Sequence, residues 1–153
     1  MENLDPFWPE AEEENSGIFY TCHDIEVDTS DEDGWSTWLK DIIDTEGYEL
    51  QRIDYIFCSD EFLLEVNQTH LDHDFYTDII TFPLNANPIV AEIYISIERV
   101  TDNAKSFEVN FMDELHRVMA HGILHLCGYD DHEEEDIKII RKKEAEYVNK
   151  LQG

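Results

Sequence analysis

The segment from His121 to His132, H-G-I-L-H-L-C-G-Y-D-D-H, holds three of the chain's seven histidines. His121 and His125 are four residues apart, so in a helix their imidazoles lie on one face and can share one ion. Gly128 follows three residues later and is placed to end that helix in a left-handed turn, which returns the chain towards the pair. Asp131 and His132 arrive where a third ligand is needed. The segment therefore predicts a metal site on a helix and the turn after it.

The predicted ligand set leaves one coordination position of the metal open. Zinc held by three side chains keeps a water in the fourth position and lowers the pKa of that water to about 7, which is typical of catalytic sites. The alternative is that His121 and His125 are surface residues of an amphipathic helix, but the glycine turn and the following Asp-Asp-His favour the metal. Zinc peptidases carry a glutamate directly after the first histidine, whereas here that residue is Gly122. The sequence therefore argues against peptide hydrolysis.

Arg117 lies one turn before His121 on the same face of the predicted helix. An arginine beside a metal-activated water suits phosphodiester chemistry, because a guanidinium binds phosphate oxygens in a fork and stabilises the charge that develops on them. Arg117 is therefore the candidate catalytic residue, and the alternative is a salt bridge to Asp113 or Glu114. Three proton acceptors stay open: Asp78, Asp130 and the metal-bound hydroxide.

Charge limits the partners of this chain. The 153 residues suit a single domain, and 37 acidic against 10 basic side chains give a net charge of −27. A surface this acidic repels nucleic acid phosphates and anionic lipids, so an RNA partner has to meet a local exception. Much of the acidity is explained by a solvated surface.

Other signals indicate an intracellular protein. The three cysteines are widely spaced among apolar neighbours, which favours buried reduced thiols over disulfides. The sequence has neither a signal-peptide pattern nor an apolar run long enough to span a membrane. We therefore expect a cytoplasmic protein without membrane partners.

Periodicity predicts an α+β domain, with about four strands in a mixed sheet packed against helices. Residues 1–16 carry prolines and acids without a period and are expected to form a loosely ordered acidic arm, followed by the folded domain at 17–153. Strands are predicted from 17, 48, 77 and 89 onward. Helices are predicted through Trp35 to Ile43, after Ser59, from Glu98 to about Phe107, from Met112 to Cys127 and from Glu133 to Leu151. The last helix, from Glu133 to Leu151, is expected to serve packing only, through an apolar stripe.

The metal segment resembles a known family. The run His121-Gly-Ile-Leu-His-Leu-Cys-Gly-Tyr-Asp130 matches the motif H-G-x-L-H-L-x-G-Y-D of the YbeY endoribonucleases at every fixed position. A second block is similar to the family's strand region, with Asn67 followed ten residues later by Thr77-Asp-Ile-Ile-Thr-Phe-Pro83. The segment 91–96 matches a family strand more loosely, and the resemblance covers roughly residues 45 to 150.

The resemblance implies a single α+β domain with one zinc ion held by three side chains of the helix and turn. It also implies cleavage of single-stranded RNA in ribosomal RNA processing, including maturation of the 16S rRNA 3′ end, and a place in ribosome biogenesis. The implied partners are ribosomal RNA and ribosomal particles, with no DNA expected.

Two departures from the family pattern affect the site. The family's third histidine comes ten residues after the first, where this chain has Asp131, and His132 follows it. Both residues stay candidates for the third metal ligand. The family's tyrosine-arginine pair reads His70-Leu71 here, so the arginine is missing and Arg117 is the candidate replacement.

Two other functions stay open at this point. The first is a ribosome-assembly binding factor whose metal is mainly structural, which the missing arginine and the acidic surface favour. The second is a metal-dependent hydrolase of another substrate.

Overall fold

Four strands and five helices make up the part of the chain that the structure describes. The computed structural model describes residues 16–71 and 76–152, so nearly all of the predicted acidic arm lies outside the described residues. Along the chain the elements are β1 (Gly17–Cys22), α1 (Glu32–Thr45), β2 (Leu50–Cys58), α2 (Asp60–Leu71), β3 (Ile79–Asn85), β4 (Ile89–Ser96), α3 (Ile97–Phe107), α4 (Phe111–Leu126) and α5 (Glu134–Gln152). None of these helices combines the length and the apolar character that crossing a membrane requires.

The strands form one mixed sheet in the order β1-β2-β4-β3. β1 pairs with β2 and β2 with β4 in parallel, whereas β3 runs antiparallel to β4 at the edge. The antiparallel pair is possible because only three residues separate β3 from β4, while each parallel neighbour is reached through a longer crossover. The predicted α+β class with a four-stranded mixed sheet is confirmed.

One face of the sheet carries most of the hydrophobic core. Alternate residues of the central strands point towards it, including Ile53, Tyr55 and Phe57 of β2, and helices α1, α4 and α5 cover it. The Tyr55 hydroxyl donates a hydrogen bond of 2.9 Å to the carbonyl oxygen of Met119, which ties the central strand to α4. The opposite face has a smaller cluster around Leu63 of α2. Packing in the core therefore holds helix α4 against the sheet.

Gly122 lets α4 approach the sheet closely. A Cβ atom at this position would lie 3.1 Å from Cδ1 of Ile79 and 3.2 Å from Cδ1 of Ile93, which is closer than ordinary van der Waals contact. Gly122, which lies between His121 and His125 in the sequence, therefore faces the core of the protein. A glutamate at this position, as in zinc peptidases, would have to displace these two side chains.

We expect Gly122→Val to destabilise the protein. Valine is a better helix former than glycine, so any loss comes from overpacking against Ile79 and Ile93, which typically costs about 1–3 kcal/mol. Urea unfolding measures the free energy of unfolding. Ala145→Val, on the exposed face of α5, is the matched control and changes stability by no more than about 0.7 kcal/mol. Equal losses in the two variants would contradict the close contact.

Candidate active site

Helix α4 presents two of the predicted ligands on its outer face. Its first turn is capped by Asn110, whose side-chain oxygen accepts a hydrogen bond of 2.8 Å from the backbone N–H of Asp113. Its buried face contains Leu115 and Met119, so the opposite side faces outward. His121 is partly exposed there and His125 is exposed. The spacing of four residues places both on the face that the sequence predicts.

The turn after α4 has the hydrogen bonds of a Schellman motif. The backbone N–H of Tyr129 donates to the carbonyl of Leu124 at 3.0 Å, and that of Gly128 donates to His125 at 3.1 Å. Gly128 has a φ of 99°, in the left-handed region that glycine adopts without strain. The left-handed turn expected from the sequence is present.

Glu46, at the end of α1, holds this turn in place. Its two carboxylate oxygens accept hydrogen bonds from the hydroxyl of Tyr129 at 2.9 Å and from that of Tyr147 at 2.5 Å. Burial and the bond to Glu46 raise the pKa of Tyr129 to about 12, so the hydroxyl keeps its proton at neutral pH. The turn is therefore attached to both α1 and α5.

The two candidates for the third ligand point in different directions. Oδ2 of Asp131 lies 3.3 Å from Nε2 of His121. His132 is 80% exposed, and its Nε2 lies 3.4 Å from Oδ1 of Asp130. Ligand atoms of Asp130, Asp131 and His132 lie within 4.8 Å of one another on the outside of the turn. Asp131 is thus the candidate that lies next to His121 of α4, whereas His132 lies next to Asp130.

A buried carboxylate orients His121 from behind. Oε2 of Glu144 in α5 lies 2.6 Å from Nδ1 of His121, and the Glu144 side chain is 1% exposed. Burial opposes the ionisation of Glu144, but the hydrogen bond from His121 and the charge of Arg117 hold its pKa below the ordinary value. In the tautomer in which Nδ1 donates to this carboxylate, the lone pair of His121 is on Nε2, which is the atom that lies nearest Asp131.

Arg117 lies between two buried glutamates. It donates to both carboxylate oxygens of Glu114, at 3.0 and 2.7 Å, and to Oε1 of Glu144 at 2.9 Å. Burial works against its charge, yet these two carboxylates raise its pKa above the ordinary value, so the guanidinium stays protonated. Its Nη2 also lies 3.9 Å from Oδ2 of Asp78. Of the two salt bridges considered from the sequence, the structure has the one to Glu114.

These residues surround an open cleft of about 280 Å³ between β3, α4 and α5. His121, His125, Asp131, Asp78 and Arg117 all line it. His132, Asp130 and Leu71 are not among its lining residues. Leu71, at the position of the missing family arginine, is 40% exposed at the end of α2. The cleft also contains Arg141 of α5, which the sequence did not single out.

His116, the neighbour of Arg117, belongs to the core instead. Its Nε2 accepts a hydrogen bond of 3.0 Å from the indole N–H of Trp35, and its ring also packs edge-on against Trp38. Burial lowers its pKa, which keeps the imidazole neutral. His116 therefore contributes packing rather than a metal ligand.

Glu46, Glu144 and Arg141 are not predicted from the sequence. Glu144 and Arg141 lie on the last helix, for which the pattern indicates packing alone, and Glu46 lies at the end of α1. A signal for Glu144 does exist in the sequence. Ile140, Glu144 and Tyr147 follow one another at spacings of four and three, so the glutamate interrupts an apolar stripe, and all three are buried. An acid within an apolar stripe needs a partner, which here is supplied by α4.

Comparison with known proteins agrees with the resemblance in the motif. The family model for Endoribonuclease YbeY matches residues 20–152, which extends the similarity to β1 and α1, ahead of residue 45. Proteins named Endoribonuclease YbeY from Flavobacterium johnsoniae and Cytophaga hutchinsonii are 44% and 45% identical over 127 and 129 residues. These alignments cover 82% and 83% of this chain and 91% and 90% of the relatives.

A solved structure has the same fold. The solution structure of TM1509 from Thermotoga maritima is 31% identical, covers 88% of each chain and superposes with a TM-score of 0.64. The family model spans the sheet, the α4 histidines and Glu144, and together with these similarities it identifies the family. The chain belongs to the YbeY family of endoribonucleases.

Proposed function

We propose that this protein is a zinc-dependent endoribonuclease that cleaves single-stranded RNA in ribosomal RNA processing, including the 16S rRNA 3′ end. The family and the printed names of the relatives support the RNA-cleaving activity. The observation that carries the metal assignment is the arrangement around His121, which has Glu144 on Nδ1 and Asp131 beside Nε2. Such work would place the protein in the cytoplasm with ribosomal particles, in ribosome biogenesis.

The chemical types of the donor atoms suit zinc, with His121, His125 and Asp131 as the proposed ligands. Among the described residues only Asp130, Asp131 and His132 have ligand atoms within 4.8 Å of one another, so the proposed set requires a side chain to move when the ion binds. Two ligand atoms about 2.0–2.1 Å from a tetrahedral zinc lie roughly 3.3 Å apart. The distance from Nε2 of His121 to Oδ2 of Asp131 is 3.3 Å. A hydrogen bond from Nδ1 of a ligating histidine to a carboxylate is the usual way in which the ring is oriented towards a metal.

The other cleft residues suit phosphodiester hydrolysis. When bound, the ion supplies Lewis acidity for the activation of water. Arg117 is the proposed catalytic arginine, because its charge lies at the cleft and favours negative charge that develops on phosphate oxygens. Asp78 also lines the cleft, and its carboxylate is the proposed proton acceptor.

The choice of third ligand is tested by two neighbouring substitutions. We expect Asp131→Ala and His121→Ala to lose bound zinc, measured by mass spectrometry of the metal content, and to lose cleavage of a single-stranded RNA. His132→Ala is the matched control and keeps both, because its side chain is 80% exposed and does not line the cleft. Loss of zinc from His132→Ala with retention in Asp131→Ala would assign the ligand to His132 instead.

The same assay separates the proposed activity from the other functions. Cleavage by the wild-type chain has to disappear with a chelator and return with zinc. Binding to ribosomal particles without RNA cleavage would make the protein a binding factor. Absence of both would favour a hydrolase of another substrate.

Glu144→Gln tests the orientation of His121. Loss of a carboxylate behind a ligating histidine typically weakens metal affinity by about 10–100-fold. We expect this loss in the dissociation constant for zinc, measured by competition with a chelator. Glu146→Gln, an exposed carboxylate on the same helix, is the control and keeps wild-type affinity. Equal affinities in the two variants would remove Glu144 from the metal site.

Arg117→Lys tests the catalytic role of the arginine. Arg117→Ala leaves two buried carboxylates without their cation, which costs about 3–5 kcal/mol of stability and obscures any effect on activity. Lysine keeps the charge but has too few donors to contact Glu114, Glu144 and a phosphate together, so we expect kcat for RNA cleavage to fall by about tenfold or more at unchanged zinc content. A folded Arg117→Lys protein with wild-type kcat would contradict this role.

A further inference from the structure

The last helix carries an unusual share of the positive charge. α5 contains five of the chain's ten basic residues, Lys138, Arg141, Lys142, Lys143 and Lys150, within 19 residues. The helix also has five acidic residues, but residues 137–143 contain four of the basic residues and no acid, so repulsion between protein and nucleic acid is weakened in this segment. One edge of this helix also forms a wall of the cleft.

The basic residues of α5 differ in what they already bind. Lys143 lies 3.8 Å from the Glu46 carboxylate, and Lys150 lies over the ring of Tyr147. Arg141 is exposed and lines the cleft, and the described part of the chain provides it with no ion pair. Arg117, the other arginine in the cleft, is already bound by Glu114 and Glu144. Arg141 is therefore the cation of the cleft that is available to a ligand.

Helical geometry adds two neighbours to Arg141. Lys138 precedes it by three residues and Lys142 follows it by one, so the three side chains share one side of α5. Both lysines are exposed. Glu134 and Glu135 lie one turn before Lys138 and oppose an anion there. The region most favourable to an anion is consequently the cleft edge at Arg141.

We propose that Arg141 binds a backbone phosphate of the RNA substrate next to the scissile bond, with Lys138 and Lys142 extending the contact along α5. This inference rests on the proposed function and names the surface by which that substrate enters the cleft. A guanidinium suits this task because it binds two phosphate oxygens at once. The acidic protein thereby meets an RNA strand through a short basic edge that leads to the proposed metal ligands.

The test compares Arg141→Ala with Lys150→Ala, which removes the same charge from the same helix, nine residues further from the cleft. Both side chains are exposed, so both variants are expected to fold and to keep wild-type zinc content. We expect Arg141→Ala to raise KM for a single-stranded RNA by about tenfold, the usual loss for one charged hydrogen-bonded contact, with little change in kcat. Arg141→Lys is expected to restore part of the loss.

Salt dependence gives a second readout. One lost phosphate contact on a single strand lowers the slope of log affinity against log salt concentration by about 0.7. Fluorescence anisotropy with a labelled single-stranded RNA, read by stopped flow before cleavage proceeds, measures this slope, and we expect the reduction in Arg141→Ala but not in Lys150→Ala. Equal KM values and equal slopes in the two variants would overturn the role of Arg141 while wild-type cleavage leaves the proposed function intact. Absence of RNA cleavage by the wild-type chain would overturn the proposed function and this inference with it.

Discussion

The buried ion network of Glu114, Arg117, Glu144 and His121 is the interaction on which the site depends. The carboxylates of Glu114 and Glu144 are 2% and 1% exposed, and burying such groups without partners costs several kcal/mol for each ion. Arg117 neutralises one of the two charges, which leaves an excess of negative charge beside His121. That excess favours a cation at the other ring nitrogen of His121. The same contacts hold α5 against α4 and fix the direction in which His121 points.

The acidity of the chain and its proposed substrate are compatible because charge is distributed unevenly. The net charge of −27 acts over the whole surface, but salt screens it beyond about 8 Å at physiological ionic strength. Contacts within the cleft depend on the charges that line it, which include Arg117 and Arg141. Long-range repulsion therefore slows the association of an RNA strand, while short-range contacts decide how tightly the strand binds.

Local sequence was sufficient to predict one part of the site and insufficient to predict the other. The histidine spacing and Gly128 predicted a helix face and a left-handed turn, because both depend on residues within one or two turns of each other. Spacing alone could not separate Asp131 from His132, because the direction of the turn also depends on Glu46, more than eighty residues earlier. Glu144 and Arg141 were missed for the same reason, since α5 reaches the cleft only through tertiary packing. The strands were predictable in number, but their order β1-β2-β4-β3 follows from crossovers that periodicity does not encode.

Gly122 connects the packing of α4 to the kind of chemistry that the cleft can support. Because Ile79 and Ile93 lie against this glycine, a larger side chain directly after His121 would have to displace them, and Gly122 offers no general base where zinc peptidases have a glutamate. A proton acceptor has to come from another wall of the cleft, and Asp78 lies there at the start of β3. Its Oδ2 accepts a hydrogen bond of 3.3 Å from Asn103 of α3 and lies 3.9 Å from Arg117 of α4, so residues of both helices hold it at the cleft. Close packing of α4 on the sheet thus goes together with a proposed proton acceptor that lies outside α4 and next to Arg117.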